Sequence, residues 1–304
     1  MHRLYRMEGS IHTIASYNLS WTNGVGIFGG NVDDLKSRPS EYNFIKRAKA
    51  PYEFWTNVLQ HIHNFIMLAN PSVIGMQEVG KVTDVTDMPI IRSDYNHHVN
   101  VQGPATVLTV WRKDLGEIVA EDSSDLGVGS DVGRPISIVF TSKGYLLVNL
   151  HSPHRLSSAD QQAMISAKLA PFLAHEVDKT KIFVMGDFNN KGFSNTTPLV
   201  LSTVTLTPGN EREIRSCCFG SRANKLCDYH RGGDFCFGLR NRHPLTIFPS
   251  PTDLFGGSVA SDHEMVWASY ISNPDVLAAK ASAAKAGGAK KHGRKLKRTM
   301  KKRR

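Results

Sequence analysis

The stretch that most constrains this chain is Lys181 to Asn190, reading KIFVMGDFNN. Its apolar run, Ile182 to Met185, has the length and character of a buried strand, and Gly186 marks where that strand stops and the backbone is free to turn. The strand end would present Asp187 and Asn189 together. Ligand sites in layered α/β proteins form at strand ends, and a buried strand holds such groups rigidly. Gly-Asp-x-Asn is equally an ordinary turn signature, so its meaning depends on what the rest of the chain supplies.

Elsewhere the same arrangement recurs. His12 to Asn18 reads as a strand that ends on an asparagine, and Gly24 to Ser40 as a surface loop. Pro51 opens a helix on which Phe54, Val58, Ile62, Phe65 and Ala69 recur at steps of three and four, until Asn70-Pro71 closes it. Ser72 to Gln77 is a further strand, and it delivers Glu78. Thr106 to Arg112, Pro135 to Phe140 and Tyr145 to His151 are β-branched or apolar runs between turn residues. A second helix is expected from Ser157 to about Val177, kinked or shortened by Pro171. Strand, helix and carboxylate-tipped strand thus occur twice, from His12 to Glu78 and from Tyr145 to Asp187. Two such halves, packed sheet to sheet with helices outside, give a layered α/β sandwich with its polar residues at one end. After Asp187 the pattern is irregular until Gly233 to Phe237 and Leu245 to Phe248. Ser261-Asp262-His263 precedes a final strand, Met265 to Ile271.

Asn18, Glu78, His151, Asp187, Asn189, Asp234, Asp262 and His263 gather almost entirely at the ends of these runs. Singly, each reads as a cap, a turn former or a surface charge. Together, oxygen donors without sulfur suit a hard divalent cation, Mg²⁺ or Mn²⁺, rather than zinc. Histidines beside carboxylates suit proton transfer, because the carboxylate fixes which ring nitrogen is free.

In its order of Tyr17-Asn18, Gln77-Glu78, Asn149-x-His151, Gly186-Asp187-Phe188-Asn189, Gly233-Asp234-Phe235 and Ser261-Asp262-His263, the chain resembles the endonuclease/exonuclease/phosphatase superfamily. Arg134-Pro135 and Leu150-His151-Ser152 resemble its DNase I-like branch most. The resemblance spans about residues 11 to 271. It implies a four-layer α/β sandwich, two packed mixed β-sheets flanked by helices, and Mg²⁺-dependent cleavage of a phosphoester. It further implies that Glu78 is the principal metal ligand, with Asn18 and Asp262 beside it. Asp187 and Asn189 would orient the attacking water or a second metal, and His263, held by Asp234, would act as the base or stabilise the phosphorane. His151 would protonate the leaving oxygen or bind a phosphate oxygen, and Arg134 would clamp a phosphate. Leu19 and Ser20 after Asn18, Gly233 before Asp234 and Glu264 after His263 depart from the family's pattern. None is a principal catalytic group, so these departures bear on substrate choice.

Charge separates the chain into two parts. Of 37 Lys and Arg, ten lie in Lys290 to Arg304 with no acid among them, which leaves 27 basic against 27 acidic groups in residues 1 to 289. Residues 1–272 are expected to form the catalytic domain. Residues 273–304, which begin Ala-, Lys-, Ser- and Gly-rich and end basic, are expected to be a flexible tail. Such a run serves as a localisation signal, as a nucleic-acid arm or as a solubilising extension. Nothing approaches the ~18 apolar residues of a membrane span, and MHRLYRMEGS lacks a signal peptide's apolar stretch. The expected location is intracellular, in the nucleus or cytoplasm. Cys217, Cys218, Cys227 and Cys236 share a window with His230 but lack paired Cys-x-x-Cys spacing. Free thiols, a disulfide and a structural zinc site all remain open.

Three functions fit these residues. One is a nuclease acting on DNA or RNA, with the basic tail as an auxiliary arm. Another is a lipid or small-molecule phosphoesterase of sphingomyelinase or phosphoinositide-phosphatase type, whose tail would touch an anionic membrane surface. The last is an inactive relative that only binds nucleic acid or a protein.

Overall fold

The computed structural model describes residues 9–19, 51–103, 105–129, 131–154, 156–174, 177–189, 197–201, 203–208, 234–239, 241–248, 263 and 265–273. Ile11–Ser272 forms one unit; the second, Met1–Ser10 with Asn273–Arg304, lies almost wholly outside the described residues. Gly24 to Ser40, Cys217, Cys218, Cys227, His230, Gly233, Ser261, Asp262 and the basic tail lie outside them too. Cys236 is buried and its thiol is free.

Both expected repeats form. In the first, β1 (Ser10–Asn18) passes through α1 (Pro51–Ala69) into β2 (Val73–Gln77), and the two strands pair in parallel with Ile14 opposite Val73 and Asn18 opposite Gln77. Two short helices follow, α2 (Val82–Thr86) and α3 (Pro89–Asp94). They lead to β3 (Tyr95–Gln102), β4 (Ala105–Arg112), β5 (Ile118–Asp125) and β6 (Pro135–Thr141). In the second repeat, β7 (Leu146–His151) passes through α4 (Ser158–Leu173) into β8 (Ile182–Asp187), again a parallel pair, with His151 opposite Asp187. The short strands β9 (Leu199–Val200) and β10 (Thr205–Leu206) pair with each other. The chain ends with β11 (Asp234–Phe237), β12 (Asn241–Ile247) and β13 (Val266–Ser272). One sheet has the order β12-β13-β1-β2-β4-β3 and the other β11-β8-β7-β6-β5. Each mixes parallel and antiparallel pairs.

The alternation of a strand sorts its residues between layers. On β1, Ala15 and Tyr17 share a core cluster with Trp55, Val58, Ile62 and Phe65 of α1. Ile14 packs instead with residues of the second sheet, such as Phe183 and Met185. Trp55, Val58, Ile62 and Phe65 step by three and four along α1 and are all buried. Truncating a residue such as Phe65 to alanine would cost about 3–5 kcal/mol. The side chain of Phe54 lies outside the described residues.

One expectation needs correction. Gly186 does not stop β8: the strand continues to Asp187. Glycine is required there because an added Cβ would come within 2.2 Å of the Leu150 carbonyl oxygen on β7, so close approach of two backbones dictates the residue. The helix with Pro171 is shorter than the span to about Val177: α4 ends at Leu173, two residues past the proline.

Candidate active site

Four parallel-paired strands deliver side chains to one end of the space between the sheets. Asn18 closes β1, Glu78 follows β2, His151 closes β7 and Asp187 closes β8. Asp234 opens β11 and sits opposite Asp187 in the antiparallel ladder. The cluster centres on Asp187, which is only 1% exposed. Asn18 Nδ2 donates to Asp187 Oδ2 at 2.9 Å and to Glu78 Oε1 at 3.3 Å, joining the two sheets. His151 Nε2 lies 3.7 Å from Glu78 Oε1 and 4.0 Å from Asp187 Oδ2. His263 Nε2 lies 3.9 Å from Asp187 Oδ2 on another side. Asn189 donates its backbone N–H to Asp187 Oδ1 at 2.9 Å.

Thus the structure brings together Asn18, Glu78, His151, Asp187, Asn189, Asp234 and His263. Arg134 joins them from the loop before β6: its NH1 donates to His151 Nε2 at 2.9 Å while Nε and NH2 bond Asp131 Oδ1 at 2.8 Å. Asp262 lies outside the described residues. His263 and Asp234, 29 positions apart, are bonded through Nδ1 and Oδ2 at 2.9 Å. A carboxylate only accepts, so Nδ1 donates and the neutral ring keeps its lone pair at Nε2.

Protonation follows from burial and neighbours. Burial raises the Asp187 carboxyl, but His263 and His151, whose protonated forms favour the carboxylate, together with the bonds from Asn18 and the Asn189 N–H, lower it by more. Asp187 is held below the usual carboxylate range and stays ionised. Burial is the main influence on His151 and depresses it, with Glu78 and Asp187 opposing and Arg134 reinforcing. Because Arg134 donates to Nε2, the neutral His151 carries its proton on Nδ1, a buried atom with no partner among the described residues.

Backbone conformation and packing hold this arrangement. Glu78 and Asn189 adopt left-handed φ values of 51° and 49°. Asparagine tolerates this region, so the glutamate is the more strained of the two. Beneath Glu78 the sheets are pinned by polar groups: Gln77 Nε2 donates to Asn149 Oδ1 at 2.7 Å, and Asn149 Nδ2 donates to the Met76 and Leu108 carbonyls. Gly75 leaves the room, since an added Cβ would come within 2.8 Å of Asn149 Oδ1. Asn149 and Gln77 were legible as motif residues but not as partners. Asp131, which aims Arg134, carried no sequence signal.

Asp187, Asp234 and His263 offer ligand atoms within 4.8 Å of one another, a geometry able to hold a metal ion. The Glu78 carboxylate lies beside them, linked to Asp187 through Asn18 Nδ2, so this carboxylate-rich set fits a hard divalent cation.

No curated protein matches the chain in sequence. Among solved structures, an endonuclease/exonuclease/phosphatase family protein from Bacteroides thetaiotaomicron is similar at 15% identity and a TM-score of 0.58, covering 88% of this chain and 96% of that one. D. rerio TDP2 complexed with single strand DNA product is 14% identical with a TM-score of 0.52, covering 86% and 98%. A mannosyl-6-phosphatase from Bacteroides thetaiotaomicron is 17% identical with a TM-score of 0.52, covering 84% and 98%. These likenesses establish the DNase I-like sandwich. Residues 15–263 match the family whose members are phosphoester hydrolases, typically dependent on a divalent metal, and the chain belongs to it: the Endonuclease/Exonuclease/phosphatase family.

Proposed function

We propose that the protein is a phosphodiesterase dependent on Mg²⁺ or Mn²⁺ that cleaves DNA or RNA. The observation that carries this reading is the convergence of Asn18 and Glu78 from one sheet on His151, Asp187 and the Asp234–His263 pair. Glu78, Asn18 and Asp262 would hold the cation, which when bound neutralises charge growing on the phosphoryl oxygens. His263, with its proton fixed on Nδ1 by Asp234, takes the proton of the attacking water at Nε2. Ionised Asp187, with Asn189, orients that water. Arg134 clamps a phosphate oxygen. A bound phosphate draws the guanidinium towards itself and favours the imidazolium of His151, which then protonates the leaving oxygen.

Nucleic acid is favoured by the single strand DNA product in the D. rerio TDP2 complex and by ten basic residues in the final fifteen. In this reading the tail is an auxiliary arm on the polymer and a nuclear-import signal. The second reading, hydrolysis of a lipid or small phosphoester, is supported by the formally neutral body and by the mannosyl-6-phosphatase of like fold.

The test is incubation with Mg²⁺ or with EDTA beside plasmid, single-stranded DNA, RNA, a phosphoinositide, sphingomyelin and a sugar phosphate. Cleavage of nucleic acid that EDTA abolishes supports the first reading. Hydrolysis confined to the small or lipid phosphoesters replaces it by the second. No hydrolysis of any of them overturns both.

A further inference from the structure

Gln161 stands where helical periodicity calls for an apolar residue. With Ile165, Leu169 and Phe172 it makes up the buried stripe of α4, and it is fully shielded from solvent. A carboxamide in such a place is costly unless its polar atoms are bonded. Its Nε2 donates to Ser152 Oγ and, at 2.6 Å, to the Phe188 carbonyl oxygen. Ser152 directly follows His151, and Phe188 stands between Asp187 and Asn189. The same two turns are tied to each other. Ser152 N–H donates to the Asp187 carbonyl at 2.8 Å, and Asn189 Nδ2 donates to the Ser152 carbonyl at 3.0 Å.

We infer that Gln161 is a positioning residue that brackets the turns after β7 and β8 and so sets the spacing of His151, Asp187 and Asn189. The inference rests on the phosphoester-hydrolase reading of the site. One donor group on a packed helix bridges the Ser152 side chain and the Phe188 backbone, and the sequence neighbours of those two residues carry the site. Of His151, Asp187 and Asn189, Asn189 alone is held in a left-handed conformation (φ 49°), so it is the one among them with a backbone conformation to relax when a neighbouring bond is lost. Methionine would fill the volume of Gln161 but offer no donor, leaving the Phe188 carbonyl and the Ser152 hydroxyl without this partner.

Three proteins test this: wild type, Gln161→Met and Ile165→Val, the last a control that loosens the same helix stripe without touching either turn. All are assayed well below their melting temperatures on bis(p-nitrophenyl) phosphate with Mg²⁺. Gln161→Met is expected to lower kcat by about 10–100-fold, the usual effect of losing an outer-shell partner, with KM within twofold. Ile165→Val should leave kcat unchanged. Amide hydrogen exchange on the same proteins gives a readout that needs no turnover. In Gln161→Met the N–H groups of Ser152 and Asn189 should exchange at least tenfold faster, with β3 and β4 unaffected. A kcat within twofold of wild type, or an equal loss in Ile165→Val, overturns the inference. If the wild type does not hydrolyse the probe, the reading of the site fails on its own and the exchange data decide: unchanged exchange at Ser152 and Asn189 overturns the bracket, and faster exchange confined to them supports it.

Discussion

His12 should make the protein acid-sensitive at the end of the sandwich remote from the site. It is buried between the sheets, with Nε2 2.8 Å from Ser272 Oγ and 3.2 Å from Tyr145 OH, and Nδ1 3.3 Å from Ser72 Oγ. All three partners are hydroxyls, which satisfy a neutral ring but give an imidazolium no compensating anion. Burial, reinforced by Arg112 and Lys181 and opposed by Asp114, pushes its pKa down from 6.5 to about 4. The unfolded chain therefore binds this proton first. Stability is intact above the unfolded pKa, falls as pH drops below about 6.5 and stops falling below about 4. The full span corresponds to about 3 kcal/mol, of which about 2 kcal/mol should be lost between pH 7.5 and 5. The perturbation is His12→Gln, which keeps hydrogen-bonding capacity but cannot titrate. Urea unfolding of both proteins at the two pH values isolates the effect, because His98 and His151, whose pKa values burial also depresses, are common to both. The wild type should lose about 2 kcal/mol more than the variant. Equal losses would refute the assignment of acid sensitivity to this ring.

Glu78→Gln keeps shape but removes the ligand charge, so turnover should fall on the order of 10²–10³-fold at unchanged folding, and EDTA should abolish wild-type activity; full activity in EDTA would remove the cation from the reaction. Because His263 and Asp234 are directly bonded, changing both to alanine should cost scarcely more than His263→Ala alone; additive losses in kcat/KM would mean they act independently. Deleting Lys290 to Arg304 should leave hydrolysis of a short substrate nearly intact while flattening the salt dependence of long-polymer binding. A tail using half its ten charges would change the slope of log affinity against log salt by about four or five; an unchanged slope would show that it does not touch the polymer.

What the sequence revealed and what it hid follow one physical divide. Apolar period and turn residues exposed β1–α1–β2 and β7–α4–β8, because those elements bury apolar faces and so obey the patterns that burial imposes. β5 and β3 escaped for opposite reasons. β5, IVAEDSSD, is an edge strand exposed along most of its length; its ladder with β6 holds it, and a ladder needs no apolar alternation. β3, YNHHVNVQ, turns polar residues inward: His98 Nδ1 lies 2.7 Å from Ser137 Oγ and Asn100 Nδ2 donates to the Ile136 carbonyl. Gly186 looked like a stop signal because sequence shows a missing side chain but not the neighbouring backbone that forbids one. The His263–Asp234 bond could be named only through the family resemblance, since the two residues are 29 positions apart with β12 between them and no local pattern joins them.

The alternation that builds the core also builds the site. From the far end to the site end, β1 presents His12, Ile14, Ser16 and Asn18 towards the second sheet, and β8 presents Phe183, Met185 and Asp187 towards the first. Within one strand length the interface between the sheets therefore passes from the hydrogen-bonded His12 ring through aromatic and aliphatic contact to direct hydrogen bonds at the site. A slip of one residue in either parallel pair would turn every one of these side chains to the opposite face. Apolar packing alone resists such a slip only through volume. The Asn149 carboxamide resists it by direction as well, because it is bonded to Gln77 and to the Met76 and Leu108 carbonyls at once, in a gap that only Gly75 leaves open. The bonds to Gln77 and Met76 fix the strand that leads to Glu78 against the strand that carries His151, and the bond to Leu108 fixes β4 against it as well, so the register of the fold and the geometry of the candidate site are set by the same contacts.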